Sequence, residues 1–214
     1  MKYKTVGKTG IQVSELCFGT MSFGGNADRE TSKKLFHRCL DKGINFFDSA
    51  NVYSGGVAEE ILGELIAGRR DEVVITSKAG FPFGTDLNAR GSSRRHLFLS
   101  VEQSLKRLNT DRIEFYFIHT FDPLTPIEET VRALDDLRRQ GKILYPAVSN
   151  WAAWQIAKAL GVSAKEGLAG FELIQPMYNL VKRQAEVEIL PLAESEKLGV
   201  ISYSPLGGGP ANTA

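Results

Sequence analysis

The sequence has almost no cysteine, no long apolar run and no surplus of charge of either sign. Its two cysteines, Cys17 and Cys39, stand in separate expected elements, with neither CxxC spacing nor a histidine-rich partner. That pattern gives no zinc site, and both read as buried free thiols of a reducing compartment. No stretch approaches a membrane span, and the opening Met1-Lys2-Tyr3-Lys4-Thr5-Val6-Gly7 lacks the apolar centre of a secretory leader. The 26 Lys and Arg against 25 Asp and Glu leave a net charge of +1. Such a balance cannot neutralise phosphates, so neither nucleic acid nor an acidic membrane surface is expected as a partner. A cytoplasmic protein is expected, with its function carried by a local site.

What the chain does contain is a repeating pattern. Short apolar runs occur at Leu16-Cys17-Phe18, Asn45-Phe46-Phe47, Val73-Val74-Ile75-Thr76, Ile113 to Ile118, Ala147-Val148, Leu173-Ile174 and Val200 to Tyr203. They are too short for buried helices and rich in β-branched and aromatic residues, so they read as seven strands. Between them lie helical stretches over roughly 29–42, 58–67, 94–108, 127–140, 151–160 and 183–198. In the fourth, Ile127, Val131, Leu134 and Leu137 recur at helical spacing. Glu128, Glu129, Arg132, Asp135, Arg138 and Arg139 fill the other side, and Gly141 marks the stop. Uniformly apolar strands alternating with such helices predict a parallel sheet covered by helices. Residues 4–13 instead form a hairpin around a Gly-rich turn, suited to cap one end of the sheet.

Seven β units fit either an open doubly wound sheet or a barrel. After the first strand comes Gly19-Thr20-Met21-Ser22-Phe23-Gly24-Gly25, which is not the GxGxxG of a dinucleotide-binding sheet. The expectation is therefore a (β/α)8 TIM barrel forming one domain over residues 1–214, with its chemistry at the C-terminal strand ends. Strand two ends at Asp48, with Tyr53 in the loop beyond; strand three ends at Lys78 and strand four at His119. The later strands end at Ser149-Asn150, at Gln175 and at Tyr203-Ser204-Pro205.

An acid, a phenol, an ammonium and an imidazole on neighbouring strands support a definite chemistry. Tyrosine is a poor acid, with a pKa near ~10. An adjacent ammonium favours the phenolate and brings the proton within reach of neutral-pH chemistry. A carboxylate would keep that lysine charged and oriented in a desolvated place, and a neutral imidazole could fix a substrate oxygen. None of these groups is a hydride source, so a cofactor must supply one. Singly, each has a plainer reading: a barrel-mouth histidine, a structural ion pair, a loop aromatic. Phe23, Phe81, Phe121 and Trp151 in neighbouring loops read equally as an apolar substrate mouth or as packing beneath the loops.

In their order and spacing these segments resemble the aldo-keto reductase family. Gly43-Ile44-Asn45-Phe46-Phe47-Asp48-Ser49-Ala50-Asn51-Val52-Tyr53 looks like its signature around Asp and Tyr. Ile75-Thr76-Ser77-Lys78 is similar to its lysine strand, and Asp111 to His119 with Asp122 to its histidine strand. Val148-Ser149-Asn150, Gln175 to Leu180 and Tyr203 to Gly207 follow in register. The resemblance implies Tyr53 as general acid, Lys78 and Asp48 tuning it, and His119 orienting a small carbonyl substrate. It implies NADPH, with NADH left open, held at the nicotinamide by Ser149, Asn150 and Gln175 under a stacked Tyr203. Ser204, Pro205, Leu206 and Gly207 would line the pyrophosphate, and Gly19, Thr20 and Met21 would approach the cofactor from strand one. The resemblance runs to about Gly209, where the family continues with a helix, an eighth strand and another helix. The expected barrel is therefore incomplete at its C-terminus, with open edges that would permit self-association. Reduction of an aldehyde or ketone is the leading expectation. The alternatives are a cofactor-binding regulatory subunit like those of potassium channels, and an inert fragment.

Overall fold

The computed structural model describes residues 1–207. Its centre is a sheet of seven parallel strands hydrogen-bonded in chain order: β3 (Phe18–Gly19), β4 (Phe46–Asp48), β5 (Val74–Ala79), β6 (Ile113–Ile118), β7 (Ile143–Ser149), β8 (Leu173–Gln175) and β9 (Gly199–Val200). Helices α1 (Arg29–Asp41), α2 (Val57–Ile66), α3 (Arg94–Arg107), α4 (Ile127–Arg139), α5 (Ala153–Glu166) and α6 (Ile189–Glu196) connect successive strands. This is the curled parallel sheet of a (β/α)8 barrel, with seven strands among the described residues, as the alternation of strand and helix predicts.

The pleat sends successive side chains to opposite faces. Phe47, Ile75, Tyr116, Val148 and Ile174 face outward, into the large apolar layer shared with the helices. Phe46, Phe115, Phe117, Ala147 and Leu173 face inward, into a second cluster. The antiparallel hairpin of β1 (Tyr3–Thr5) and β2 (Gln12–Ser14) contributes Val6 and Val13 to that inner cluster, so it closes the N-terminal end of the barrel as expected. Gly7 is required where the hairpin turn meets the sheet: its φ is +50°, and a Cβ there would stand 2.8 Å from the backbone nitrogen of Gly199.

Several boundaries differ from the sequence expectation for identifiable reasons. The first strand lies one to two residues later than Leu16–Phe18, at the place where Phe18 and Gly19 pair with Phe47 and Asp48. The fifth begins at Ile143, and the seventh holds only Gly199–Val200, with Tyr203 reduced to a single bridge to Met177. Helix α5 runs through Gly161 and stops at the left-handed Gly167 (φ 65°), because an interior glycine costs only ~1 kcal/mol relative to alanine. Helix α6 starts at Ile189, well after residue 183. Pro191 has no N–H to donate and fits only the first turn. In α4 the apolar stripe is buried as expected, but Asp135 is buried with it. It accepts from Arg138, Arg139 and the backbone N–H of Ala169, which ties α4 to the loop before β8.

At the N-terminal ends of β5 and β6, Glu114 is only 5 % exposed and receives Arg70 at 2.8 Å and the Ile75 backbone N–H at 2.8 Å. Arg70 also donates to the Thr110 hydroxyl and to the carbonyls of Val73 and Arg112. Removing the carboxylate leaves a mostly buried guanidinium short of its counter-charge. Glu114→Ala is expected to lower unfolding stability by roughly 3 kcal/mol. Urea denaturation checks this, and a midpoint equal to wild type would mean that the clamp contributes nothing.

Candidate active site

The same pleat that buries Phe46 and Leu173 turns Asp48, Thr76, Lys78, Ser149 and Gln175 into the barrel at its C-terminal end. Lys78 is fully buried. Its ammonium lies 2.6 Å from Asp48 Oδ2, 2.6 Å from the Ser49 carbonyl and 3.4 Å from the Tyr53 hydroxyl. Asp48 also accepts from the Thr76 hydroxyl and, at 3.1 Å, from the Gln175 side-chain amide. Gln175 sits on β8, four strands from Asp48 on β4, so this hydrogen bond crosses the barrel interior and exists only because the sheet curls. Thr76 is absent from the set of site residues read from sequence. The available signal is that it precedes Lys78 by two in one strand and therefore shares its face.

Tyr53 reaches the lysine from a tight turn after β4. Three successive residues there have positive φ: Ser54 (49°), Gly55 (64°) and Gly56 (97°). Glycine takes two of the three positions without Cβ strain, and the turn swings directly into α2. The Tyr53 ring meets the His119 imidazole edge-on at 6.0 Å, and Phe81 meets the same imidazole at 4.6 Å. His119 follows the last residue of β6, is 8 % exposed, and its Nδ1 has no hydrogen-bond partner among the described residues. The four residues expected to form one site therefore lie together.

A second group adjoins them. The Ser149 hydroxyl donates to the Gln175 carbonyl at 2.9 Å. Asn150, itself left-handed (φ 58°), donates to the His119 carbonyl at 2.9 Å and to the Ser149 hydroxyl at 3.1 Å. It accepts from the Tyr203 hydroxyl at 2.8 Å, which pins that half-buried ring at the barrel mouth. Thr20 is buried, with its N–H and hydroxyl both on the Asp48 carbonyl, so it braces the Asp48 backbone. Gly19 pairs with Asp48 in the sheet, whereas Met21 stands exposed on the loop beyond. Ser204 to Gly207 form a turn, largely exposed, held by Asn179 Nδ2 on the Ser204 carbonyl at 2.9 Å; this turn shares no hydrogen bond with the Asp48–Lys78 cluster.

The four aromatics left undecided by sequence now separate. Phe23 is wholly buried against Phe18, and Trp151 packs under its loop against Phe121 and Phe171. Phe81 is 39 % exposed beside His119 and Phe121 is partly buried, so only these two face the opening to any extent.

Electrostatics follow from this burial. Desolvation raises the Tyr53 phenol above its ordinary value and outweighs the Lys78 ammonium, which pulls it down. The ammonium acts on the phenol in the direction the sequence expectation gives it, but burial is the larger effect and the net shift is upward. Burial works against the Lys78 ammonium, but Asp48 and Tyr53 more than compensate, and its pKa is raised. Burial, assisted by Lys78, pushes the His119 imidazole down to about 3. The site therefore presents a neutral phenol and a neutral imidazole around the Lys78–Asp48 ion pair.

Comparison with known proteins gives the following similarities. A family model described as the aldo/keto reductase family matches residues 15–214. An uncharacterized oxidoreductase of Bacillus subtilis, YrpG, is 41% identical over 98% of this chain and 68% of its own length. A probable voltage-gated potassium channel subunit beta of Arabidopsis thaliana is 41% identical over 98% of the chain and 65% of its own. A norsolorinic acid reductase of Aspergillus flavus is 37% identical over 96% of the chain and 57% of its own. The chain thus spans about two thirds or less of the length of these curated relatives.

The His119 environment makes a direct prediction. An unfolded imidazole titrates near ~6.5, so from there down to about 3 the unfolded chain binds a proton that the native state refuses. This contribution leaves native stability intact above pH ~6.5 and erodes it progressively as pH falls toward 3. By NMR the His119 ring signals are expected to stay unshifted from pH 8 to 5. The acid loss of stability should be shallower in His119→Asn. A His119 titration near 6.5 would contradict this burial.

Proposed function

The chain belongs to the aldo/keto reductase family, and on that premise we propose that it is an oxidoreductase reducing an aldehyde or ketone with NADPH, with Tyr53 as proton donor. The observation that carries this reading is the buried Asp48–Lys78–Tyr53 chain ending beside His119. A bound nicotinamide supplies the hydride. Ser149, Asn150 and Gln175 offer the mixed donors and acceptors that a carboxamide needs, and the pinned Tyr203 ring offers a flat surface, so the residues fit such a group. Gly19, Thr20 and Met21 from one side and Ser204 to Gly207 from the other complete the proposed cofactor contacts.

Each side chain then has a task. His119, held neutral, donates a hydrogen bond to the carbonyl oxygen and sets its position beside the Tyr53 hydroxyl. Tyr53 gives its proton to that oxygen as negative charge develops. The resulting phenolate is stabilised by Lys78, whose own charge Asp48 and the Ser49 carbonyl secure. In the reverse direction the same phenolate accepts the alcohol proton. Phe81 beside His119 sheds water from the reacting oxygen. The reduced thiols Cys17 and Cys39 suit a cytoplasmic setting.

A second reading has its own observation. The probable potassium channel subunit beta at 41% identity raises an NADPH-binding regulatory subunit. The complete set of Asp48, Tyr53, Lys78 and His119 favours catalysis.

The test is NADPH consumption by the purified chain with a panel of aldehydes and ketones, followed by absorbance. Tyr53→Phe is expected to lower kcat by ~100-fold or more, with NADPH affinity little changed. NADPH binding without turnover in wild type would support the regulatory reading. Full turnover in Tyr53→Phe would remove the role assigned to Tyr53.

A further inference from the structure

Behind the Tyr53 turn, on the helix side of the sheet, lies a buried pair of charges that the chemistry above leaves unused. Glu59, on the first turn of α2, is wholly buried. One of its oxygens accepts from the Ser77 hydroxyl and the other from Arg107 Nε at 2.7 Å. Ser77 is the neighbour of Lys78 in β5, pointing to the opposite face of the strand. Arg107 ends α3, and its guanidinium lies 5.2 Å over the Phe83 ring in the loop after β5.

The pair also touches the turn that carries Tyr53. A Cβ on Gly56 would meet Arg107 Cδ at 3.0 Å and Nε at 3.2 Å, so the arginine lies directly against the last of the three left-handed residues. One turn of helix beyond Glu59, a Cβ on Gly63 would stand 2.5 Å from the Arg107 carbonyl, so α2 and the end of α3 meet backbone to backbone. Glu59 and Gly63 share one helix face. Together they fix where α2 begins, and hence where the Tyr53 turn ends.

Stability does not account for this arrangement. Burying two charges is expensive, and well-packed apolar residues of similar volume commonly serve a fold better. Arg107 Nη2 is moreover buried without a hydrogen-bond partner among the described residues. The chain of contacts instead runs from Tyr53 through Gly56, Arg107, Glu59 and Ser77 back to Lys78, linking the two groups whose separation matters. That separation, 3.4 Å, is long for a hydrogen bond and therefore sensitive to small displacements of the turn.

We propose that Glu59 and Arg107 are a positioning pair that holds the Tyr53 hydroxyl within reach of the Lys78 ammonium. The inference rests on the proton-donor role given to Tyr53 above. The charged and titratable groups facing Tyr53 are Asp48 from β4, Lys78 from β5, His119 beyond β6 and Cys17 from the segment before β3. Of these, Lys78 is the one that opposes the upward push of burial. Loosening the turn weakens that opposition and strengthens the phenol's hold on its proton.

The experiment follows the Tyr53 ring by NMR in the tyrosine-labelled chain, with its signal assigned by its loss in Tyr53→Phe. In Glu59→Gln the Tyr53 titration is expected to move to higher pH than in wild type. Turnover should fall by about 10-fold, with carbonyl KM within about twofold, as misplacement of a reacting group predicts. The double variant Glu59→Leu/Arg107→Met removes both charges at similar volume. It is expected to be at least as stable as wild type and still slow, with the same alkaline displacement of Tyr53. A double variant that regains wild-type kcat, or an unmoved Tyr53 titration in both variants, would overturn the proposal. Because the titration needs no turnover, it still reads the position of Tyr53 if the catalytic reading itself fails.

Discussion

A lysine with no exposure to water needs a reason to stay charged, and nearly everything at the C-terminal end of this barrel supplies one. Asp48 on β4 accepts from Thr76 and Lys78 on β5 and from Gln175 on β8, and its backbone carbonyl is braced by Thr20 beyond β3. An isolated ammonium in such a place would lose its proton. Here the carboxylate, the Ser49 carbonyl and the Tyr53 oxygen hold it, and the ammonium in turn depresses the neighbouring imidazole. Burial sets the direction for Tyr53 and His119, and the held ammonium modulates both: it opposes the rise at the phenol and adds to the fall at the imidazole.

The two ends of the sheet divide their duties. The Arg70–Glu114 clamp joins β5 to β6 at the N-terminal end, remote from the open mouth. The loops at the other end are tied separately. Asp122 accepts from the backbone N–H groups of Ser92 and Leu124 and from the Thr125 hydroxyl, and Gly91 N–H closes on the Gly80 carbonyl. The loop carrying Phe81 and Phe83 is therefore anchored at its base and free of obligations to the clamp below.

Much of this was legible in the sequence because the C-terminal strand ends and the helical spacing can be read directly from it. Alternation along β4, β5, β7 and β8 puts Asp48, Lys78, Ser149 and Gln175 on the inner face, and helical spacing orders Ile127, Val131, Leu134 and Leu137. What escaped depends on neighbours distant in the chain. Asp135 reads as a surface acid until the Ala169 N–H arrives, and Glu59 as one of two adjacent glutamates until Arg107 folds over it. The balance on Tyr53 escaped for the same reason: the ammonium is visible in the spacing, but the depth of burial that outweighs it is a property of the assembled barrel.

The hydrogen bond from Gln175 to Asp48 has a consequence for how such a sheet can drift over evolutionary time. A one-residue slip of β8 against β7 would turn Ile174 into the interior and rotate the glutamine out among the helices. Asp48 would then keep its lysine but lose the amide that spans the lumen. An insertion in the loop before β8 is therefore tolerable only if it leaves strand registry untouched. A single side-chain amide acts as the gauge by which the stagger of five strands is kept true.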